Sequence, residues 1–496
     1  MIIININHKY QYEIERIVTM FVDAKETRSF SEEIETNGED YVKTVLENQE
    51  LEGKSLLSVE IFYNGVTKSS AKSIDKNILE YDKYCERYFA TMIKNILEEL
   101  TGISLKWGIL TGIRPVKLIE REKQKGKSEE ELREIFIGEL GLDSKKYDLA
   151  RKTLDEEEKI LSRSREDSYS LYLSMPFCPT RCHYCSFVSS AIGTKKAKDL
   201  VPRYVELLCQ ELRETAKIAK DLSLRLETIY FGGGTPTTMS ASQLKMVMDT
   251  INSCYDIREN TEFTVEAGRP DTIDRAKLEV LKNAGVTRIS INPQTLNDAI
   301  LSQIGRNHTK QQTLDSFFLA RELGFDDINM DVIAGLPNES LESFKSTIDE
   351  IIALSPENIT VHTLTIKHNA DYAEDREAVK SHIGQVSSMV DYAQDRLMEN
   401  DYVPYYLYRQ KGTIGNLENV GFCKRGYEGY YNVYIMDETH SILANGAGAV
   451  TKLKSPKGKE IQRISNFKFP FEYNNNFSEI INRKEKVREF YGKTNF

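Results

Sequence analysis

The chain has 496 residues, of which 40% are hydrophobic and 29% charged, and its formal net charge is -10. This length predicts two or three domains, and the composition is that of an ordinary globular protein. The negative charge argues against broad binding to nucleic acid or to an anionic membrane, because phosphate groups are bound by basic surfaces.

The N-terminal segment does not have the features of a secretory signal. The stretch MIIININHKYQYEIERIV has no basic start, no long apolar core and no small-residue cleavage site. No stretch of the sequence approaches the roughly 18 consecutive apolar residues that a membrane-spanning helix needs. We therefore expect a cytoplasmic protein without a membrane partner.

Residues 1–165 are predicted to form an N-terminal α+β domain. Isoleucine and asparagine alternate from Ile2 to Ile6, which is the period of a strand. The dipeptide Asn64-Gly65 predicts the tight turn of a hairpin. Apolar residues then recur every three to four positions, which predicts helices. These helices are expected at 78–100, 116–123, 128–140 and 144–162.

From Ser168 onward, apolar strand-like runs alternate with amphipathic stretches. Strands are predicted at 171–177, 228–231, 263–265, 288–291, 328–333 and 359–364, and helices at 201–220, 242–254, 274–284, 310–323 and 341–354. This alternation is typical of βα units in a parallel sheet. Six such units predict an α/β fold, a partial (β/α)6 TIM-like barrel over residues 166–370. The active site of such a barrel lies at the carboxyl ends of its strands.

Residues 371–496 are predicted to form a C-terminal region of mixed structure. A helix is expected at 382–400. It is followed by predicted strands at Tyr405–Arg409, Tyr431–Ile435 and Ser441–Ala444 and by a glycine turn at 445–449.

Cys178, Cys182 and Cys185 follow the first predicted barrel strand closely. Thiolates at this density suit soft metals, chiefly zinc or iron–sulfur centres. A structural zinc usually takes four ligands from two separated pairs, and this sequence has no second pair. In a [4Fe–4S] cluster, three cysteines would hold three irons and leave the fourth open to a substrate.

The C-x3-C-x2-C spacing after a strand resembles the motif of the radical S-adenosylmethionine (SAM) superfamily. The resemblance implies that the three cysteines bind a [4Fe–4S] cluster and that SAM is the second cofactor. No further catalytic side chain is implied beyond the cluster and the SAM site.

Polar residues and glycines stand where the later barrel strands end, as a shared site requires. The second strand ends in GGGTP at 232–236, whose glycines let the backbone approach a ligand closely. The third ends at Glu266 and the fifth at Asp331, and Arg306 follows the fourth. Carboxylates accept hydrogen bonds from hydroxyl and amino groups, and arginine pairs with carboxylates.

Several of these segments together resemble the oxygen-independent coproporphyrinogen III oxidase group, HemN and HemW. They are the YLSMPFC start at 172–178, GGGTP, SINPQ at 290–294, the Gly305-Arg306 turn and GLP at 335–337. The TGIRP turn at 111–115 and the GAGAV segment at 446–450 resemble its HemZ branch, the coproporphyrinogen dehydrogenases. Two positions depart from the HemN pattern: Phe187 replaces a further cysteine and Ser174 replaces a histidine.

The resemblance implies specific residues for cofactor and substrate. Positions that match SAM contacts of the group are Tyr172, Tyr184, Gly233, Gly234, Thr235, Glu266, Gln294, Arg306, Asp331 and Thr363. Four arginines are candidates for binding substrate propionates: Arg269, Arg306, Arg409 and Arg425.

The activity implied is that of a radical SAM oxidoreductase in heme biosynthesis. It would convert two propionates of coproporphyrinogen III to vinyl groups without oxygen, yielding protoporphyrinogen IX. Its partners would be this tetrapyrrole and an electron donor similar to flavodoxin or ferredoxin. Three alternatives remain: a heme-binding chaperone, another radical SAM reaction on a tetrapyrrole such as heme degradation, and a zinc protein without a redox role.

Overall fold

The computed structural model describes residues 1–22, 27–49, 53–185, 187, 190–365, 383–456, 458 and 460–493. They form two compact units. The first unit contains Met1–Arg151, and it also takes Tyr408–Glu418 and the described part of Lys380–Ser387. The second begins at Lys152 and contains most of the remainder. The predicted domain limits stay predictions, and the one at 370 lies outside the described residues.

The first unit has a sheet of five strands and several helices. The elements are β1 (Ile2–Ile6), α1 (Gln11–Val18), β2 (Arg28–Phe30), β3 (Tyr41–Gln49), β4 (Lys54–Tyr63), β5 (Val66–Asp75), α2 (Tyr81–Thr101), α3 (Pro115–Gln124) and α4 (Glu129–Arg133), and α5 (Ser144–Leu161) leads into the second unit. The strand order is β2-β1-β3-β4-β5. The predicted hairpin is confirmed, since Tyr63 faces Val66 in an antiparallel pair. Its turn residues Asn64 and Gly65 both have positive φ, as a tight hairpin turn requires.

The helix predicted at 128–140 is only partly α-helical. Ser128 begins it with a capping box to Glu131, and the chain continues from α4 into a π-helix at Glu134–Glu139. The N–H of Leu140 accordingly bonds to the carbonyl of Ile135, five residues back. An inserted residue of this kind leaves the hydrophobic pattern nearly helical, so the pattern does not reveal it.

The second unit contains the parallel sheet and its helices, but residues 383–387, 408–409 and 418, at the ends of three of the elements given below, belong to the first unit. Its strands are β6 (Ser168–Met175), β7 (Phe177–Cys178), β8 (Ser190–Ala191), β9 (Arg225–Gly233), β10 (Glu262–Glu266), β11 (Arg288–Ser290), β12 (Ile328–Ala334), β13 (Asn358–Thr363), β14 (Val403–Arg409), β15 (Glu418–Cys423), β16 (Ser441–Asn445), β17 (Val450–Lys454) and β18 (Ile461–Ser465). Its helices are α6 (Lys195–Asp221), α7 (Ala241–Cys254), α8 (Arg275–Asn283), α9 (Asp298–Gln303), α10 (Lys310–Glu322), α11 (Leu341–Leu354), α12 (Ile383–Glu399), α13 (Tyr430–Asp437), α14 (Pro470–Asn475) and α15 (Phe477–Lys493).

Six strands form the predicted parallel sheet, in the order β13-β12-β11-β10-β9-β6. Their burial is nearly continuous, as expected for strands covered on both faces. The crossover helices begin where the chain supplies a side-chain cap, at Thr194, Ser240, Asp274, Thr309 and Ser340. The α/β barrel fold predicted from the sequence is thus confirmed.

Strands of the C-terminal region extend this sheet on both sides. β16 runs parallel to β6 and is followed by β17 and β18, while β15 pairs antiparallel with β13. Among the described residues, no helix combines the length and the apolar composition needed to cross a bilayer.

The strand predicted at Tyr431–Ile435 is wrong, because this segment lies within α13. Four of its five residues are aromatic or β-branched, and these residue types are enriched in strands. The carboxylate of Glu262, at the start of β10, accepts hydrogen bonds from the N–H groups of Tyr430 (2.6 Å) and Tyr431 (3.1 Å). An acceptor so distant in sequence stabilises a helix start that the local residues do not indicate.

Candidate active site

The cysteine loop and the glycine turn are joined through their backbones. The N–H of Gly234 donates to the carbonyl of Met175 at 2.6 Å, and that of Thr235 donates to the carbonyl of Phe177 at 2.8 Å. A Cβ atom on Gly234 would lie 2.5 Å from the Phe177 oxygen and 3.0 Å from the Cys178 sulfur. Only glycine allows this close approach, so the two motifs found separately in the sequence form one structure.

The three cysteines lie in a loop that is tied at several points. β7 pairs with β8, which closes the loop at Cys178. Farther along, the N–H of His183 donates to the carbonyl of Ile304 at 3.1 Å. Cys182 is buried, whereas Cys178 and Cys185 are partly exposed. Burial raises the pKa of the Cys185 thiol to about 11.

Two of the cysteine sulfurs accept hydrogen bonds from neighbouring side chains. The hydroxyl of Thr235 donates to the Cys178 sulfur at 3.5 Å. The guanidinium of Arg269 donates to the Cys182 sulfur, also at 3.5 Å. Donors of this kind stabilise thiolates, because they place partial positive charge beside the sulfur.

Tyr172, Tyr230 and Tyr431 stack against one another. The ring centroids of Tyr230 and Tyr431 are 4.4 Å apart with an interplanar angle of 22°, and Tyr172 lies 6.2 Å from each. Burial raises the pKa of all three hydroxyls. They therefore present neutral aromatic surface next to the strand ends.

Glu266 is the last residue of β10, whereas Asp331 lies within β12, and the pKa values of the two carboxyls are shifted in opposite directions. The prediction that the fifth strand ends at Asp331 is wrong, since β12 continues to Ala334. Burial is the main cause that raises the pKa of Glu266 to about 7, despite a 2.5 Å hydrogen bond from the Tyr230 hydroxyl. The pKa of Asp331 is lowered: although burial opposes this, the side chains of His362 and Asn329 outweigh it. At neutral pH, Asp331 is therefore ionised, and Glu266 is near its midpoint.

Arg306 connects the cysteine loop to the ends of two strands. Its guanidinium donates to the Tyr184 hydroxyl at 2.9 Å and to the carbonyls of Asn292 (2.9 Å) and Gly268 (3.2 Å). All these acceptors are neutral, so within the described ranges no carboxylate is hydrogen-bonded to this buried guanidinium. The structure thus brings together Arg306 and Tyr184, two positions selected from the sequence.

Two of the remaining predicted positions end strands, and Gln294 lies four residues beyond β11, where it forms an isolated bridge with Val332. Gly233 ends β9 with φ of +99°, and a Cβ atom there would lie 3.0 Å from the Ser174 hydroxyl. Gln294 has φ of +67°, and its N–H donates to the Asp331 carbonyl at 2.9 Å. Thr363 ends β13 and is buried, and its N–H donates to the Asn419 side chain at 3.0 Å.

The arginines proposed for propionates have different surroundings. Arg409 belongs to the first unit, where its buried guanidinium donates to the carbonyls of Leu110, Gly112 and Asn416. Arg425 is exposed and forms an ion pair with Glu156 at 3.2 Å. Both arginines have structural partners that the sequence did not indicate.

Sequence reasoning missed three residues of this region. Tyr230 and Tyr431 line it together with Tyr172, and Thr180 links the cysteine loop to Gly305 by a 2.9 Å hydrogen bond. Tyr230 lies on β9 two residues before the glycine turn, and this proximity to the turn could have indicated that it lines the site. Tyr431 had no such signal, because its segment was predicted to be a strand.

Comparison with known proteins identifies the family. The model of the radical SAM superfamily matches residues 172–351. An oxygen-independent coproporphyrinogen-III oxidase-like protein, HemZ of Bacillus subtilis (strain 168), is 36% identical over 439 residues, which cover 87% of each chain. This chain belongs to the HemZ-like radical SAM family.

Other relatives of this HemZ-like chain carry different names. The heme chaperone HemW of the same organism is 40% identical over 199 residues, covering 40% of this chain and 51% of that one. A solved structure of coproporphyrinogen III oxidase (HemN) from Escherichia coli matches with a TM-score of 0.50 at 20% identity, covering 65% of this chain and 71% of that one. The latter similarity supports the fold.

As a radical SAM protein, the HemZ-like chain uses a [4Fe–4S] cluster and SAM. The donor set fits the cluster, since the three cysteines share one loop and two of them have hydrogen-bond donors beside the sulfur. In the described part of the chain, no set of three or more His, Cys, Asp or Glu side chains is arranged around a single ion. A cluster does not require such an arrangement, because each cysteine bonds to a different iron.

Proposed function

We propose that this protein is an oxygen-independent coproporphyrinogen III dehydrogenase. It would convert two propionates of this tetrapyrrole to vinyl groups and so form protoporphyrinogen IX for heme biosynthesis. The observation that carries the proposal is the joined cysteine loop and glycine turn, in a chain that matches a coproporphyrinogen-III oxidase-like relative over 87% of both lengths.

In this proposal, Cys178, Cys182 and Cys185 hold the cluster. The residues that would hold SAM are those selected from the sequence: Tyr172, Tyr184, Gly233, Gly234, Thr235, Glu266, Gln294, Arg306, Asp331 and Thr363. The cluster and SAM together supply hydrogen abstraction from an unactivated carbon, which no side chain can perform. The protein orients the reactants and excludes water.

Individual residues have separate tasks in this arrangement. The glycines at 232–234 present backbone groups without side-chain obstruction. Asp331, which is ionised, accepts hydrogen bonds from hydroxyl or amino groups of the ligand. Arg306, whose hydrogen bonds go to neutral acceptors, attracts a carboxylate of SAM or of the substrate. The stacked tyrosines supply apolar surface for a flat ligand.

An anaerobic assay tests this function. The reconstituted protein is incubated with SAM, a reductant and coproporphyrinogen III, and products are identified by mass spectrometry. We expect loss of two carboxyl groups together with formation of 5′-deoxyadenosine, and neither with the C178A control. Formation of 5′-deoxyadenosine with an unchanged tetrapyrrole would reject the substrate. A flavodoxin- or ferredoxin-like protein is proposed as the natural donor of electrons.

A heme chaperone is the second candidate, because heme chaperones named HemW are among the relatives. The 40% identical HemW match covers only 51% of that relative, whereas the HemZ match covers 87%. Stable binding of heme by the purified protein without decarboxylation would favour the chaperone. A product of another mass from heme would instead indicate a different tetrapyrrole reaction.

A further inference from the structure

The guanidinium of Arg269 is enclosed beside the cysteine loop, with only 3% of the residue exposed. It forms two hydrogen bonds to the Asp271 carboxylate, at 2.9 and 3.0 Å. Two more, both 3.2 Å, reach the Thr180 hydroxyl. The fifth contact is the 3.5 Å hydrogen bond to the Cys182 sulfur.

These contacts leave Arg269 little capacity for a substrate carboxylate. Its planar guanidinium already forms a bidentate pair with a carboxylate. An incoming propionate would need the same two N–H groups. Exchanging that partner would also break the contact with the cysteine loop. The structure therefore corrects the expectation that Arg269 binds a propionate.

The local backbone fixes the guanidinium in place. Arg269 precedes a short 3-10 helix at Pro270–Thr272, and its carbonyl accepts a hydrogen bond from the Thr272 hydroxyl at 2.7 Å. Asp271 is only two residues away, so the ion pair forms within one turn. A rigid cation thus lies beside one particular sulfur of the three.

We propose that Arg269 is a positioning residue that sets the reduction potential of the iron–sulfur cluster through its hydrogen bond to the Cys182 sulfur. The inference rests on the cluster assignment made under the proposed function. Hydrogen bonds and positive charge at a cluster sulfur withdraw electron density, so they stabilise the more negative, reduced state. Removal of Arg269 makes reduction harder, and removal of its counter-charge makes reduction easier.

The charges nearby support this direction. Arg306 is also buried, and its hydrogen bonds among the described residues go to neutral acceptors. Asp271 is hydrogen-bonded to Arg269 and lies near enough to Arg306 to interact with it electrostatically. The pKa of buried His308 is lowered to about 3, by burial first and then by Arg306 and Arg269, so it is neutral at pH 7. Among the described side chains near Cys182, the guanidiniums of Arg269 and Arg306 outnumber the one carboxylate, that of Asp271.

The test is an anaerobic redox titration of the SAM-free holoprotein, followed by electron paramagnetic resonance, with iron and sulfide content measured in parallel. For R269Q we expect about a tenfold lower ratio of reduced to oxidised cluster at a fixed potential, which for one electron is a shift of about 59 mV to more negative values. For D271N we expect a shift to more positive values. R275Q, which alters an arginine of the next helix that pairs with Glu322, is the matched control and leaves the potential unchanged.

Each remaining outcome decides against a part of the assignment. A fully loaded R269Q with the wild-type potential overturns the proposal, as does a negative shift in D271N. If R269Q loses its cluster, D271N alone decides. Loss of the cluster in both variants, with unchanged circular dichroism, would also overturn the proposal. It would show that Arg269 and Asp271 are needed for the structure of the cysteine loop. Wild-type protein that binds no iron and sulfide rejects the cluster assignment itself, and a shifted potential without decarboxylation rejects only the substrate.

Discussion

The Tyr230 hydroxyl donates a 2.5 Å hydrogen bond to the Glu266 carboxylate, and the pKa of that carboxyl is nevertheless raised to about 7. Burial favours the neutral acid more strongly than the tyrosine favours the ion. The charge of Glu266 at the end of β10 therefore changes near neutral pH. This titration can be tested without knowing the substrate.

Folding stability should depend on pH through Glu266. Its pKa is about 7 when folded and near 4.5 when unfolded, so the native state binds the extra proton between these values. The contribution of Glu266 is most favourable below pH 4.5, falls as pH rises to about 7, and then stays constant. Relative to E266Q, the loss is up to about 3 kcal/mol at about 1.4 kcal/mol per pKa unit.

Urea unfolding of the cluster-loaded, SAM-free protein between pH 5 and 8 measures this dependence. The free energy of unfolding of wild type minus that of E266Q should fall steadily from pH 5 to about pH 7 and then stay level, because the native carboxyl ionises at a cost that E266Q does not have. A difference that is constant with pH would show that the native carboxyl titrates at its ordinary value.

Substitution of Gly234 should disturb the junction between the cysteine loop and the glycine turn. In G234A the new Cβ atom would meet the carbonyls of Phe177 and Met175 at 2.5 and 2.6 Å, and backbone atoms cannot turn away as side chains can. We expect loss of most of the iron and sulfide with retention of the overall circular dichroism. G193A is the control, since a Cβ atom there meets nothing within 4 Å; equal loading of the two variants contradicts the prediction.

The buried pair of Glu211 and Lys484 should be important for the attachment of α15. Glu211 lies 2.8 Å from the Lys484 ammonium, and it also accepts hydrogen bonds from Gly446 N–H (2.8 Å) and the Tyr473 hydroxyl (2.7 Å). K484M removes the balancing charge of a carboxylate that water cannot reach. We expect a loss of about 3 kcal/mol in the free energy of unfolding.

The control for K484M is R488Q, one turn farther along α15, which removes a surface pair with Asp221. Its expected cost is below about 1 kcal/mol. Urea denaturation followed by circular dichroism compares the two variants. Equal losses would mean that the charge of Lys484 is already solvated.

The single tryptophan of the chain offers a reporter of the first unit. Trp107 donates its indole N–H to Glu418 at 2.6 Å, and the same carboxylate lies 2.8 Å from the ammonium of buried Lys146. E418Q keeps an acceptor for the indole but removes the charge that compensates Lys146. We expect about 3 kcal/mol of destabilisation.

Tryptophan fluorescence during urea unfolding measures this loss. The double variant K146M/E418Q removes both charges, so it should recover much of the lost stability. An E418Q variant as stable as wild type, or a double variant less stable than E418Q, would contradict the role assigned to the pair.

The sequence by itself determined the barrel, because the hydrophobic residues of each βα unit recur with the period of a strand or of a helix, and this period is visible locally. It also determined the cysteine loop and the glycine turn, whose residue types are required by geometry and by metal chemistry. Only the tertiary structure decided that Tyr431 lies on a helix, that Arg269 faces a cysteine sulfur, and that the guanidinium of Arg409 donates to the carbonyl of Leu110 within the first unit. Each of these outcomes depends on a partner far away in the sequence. Local periodicity and residue type do not indicate which distant residues come into contact when the chain folds.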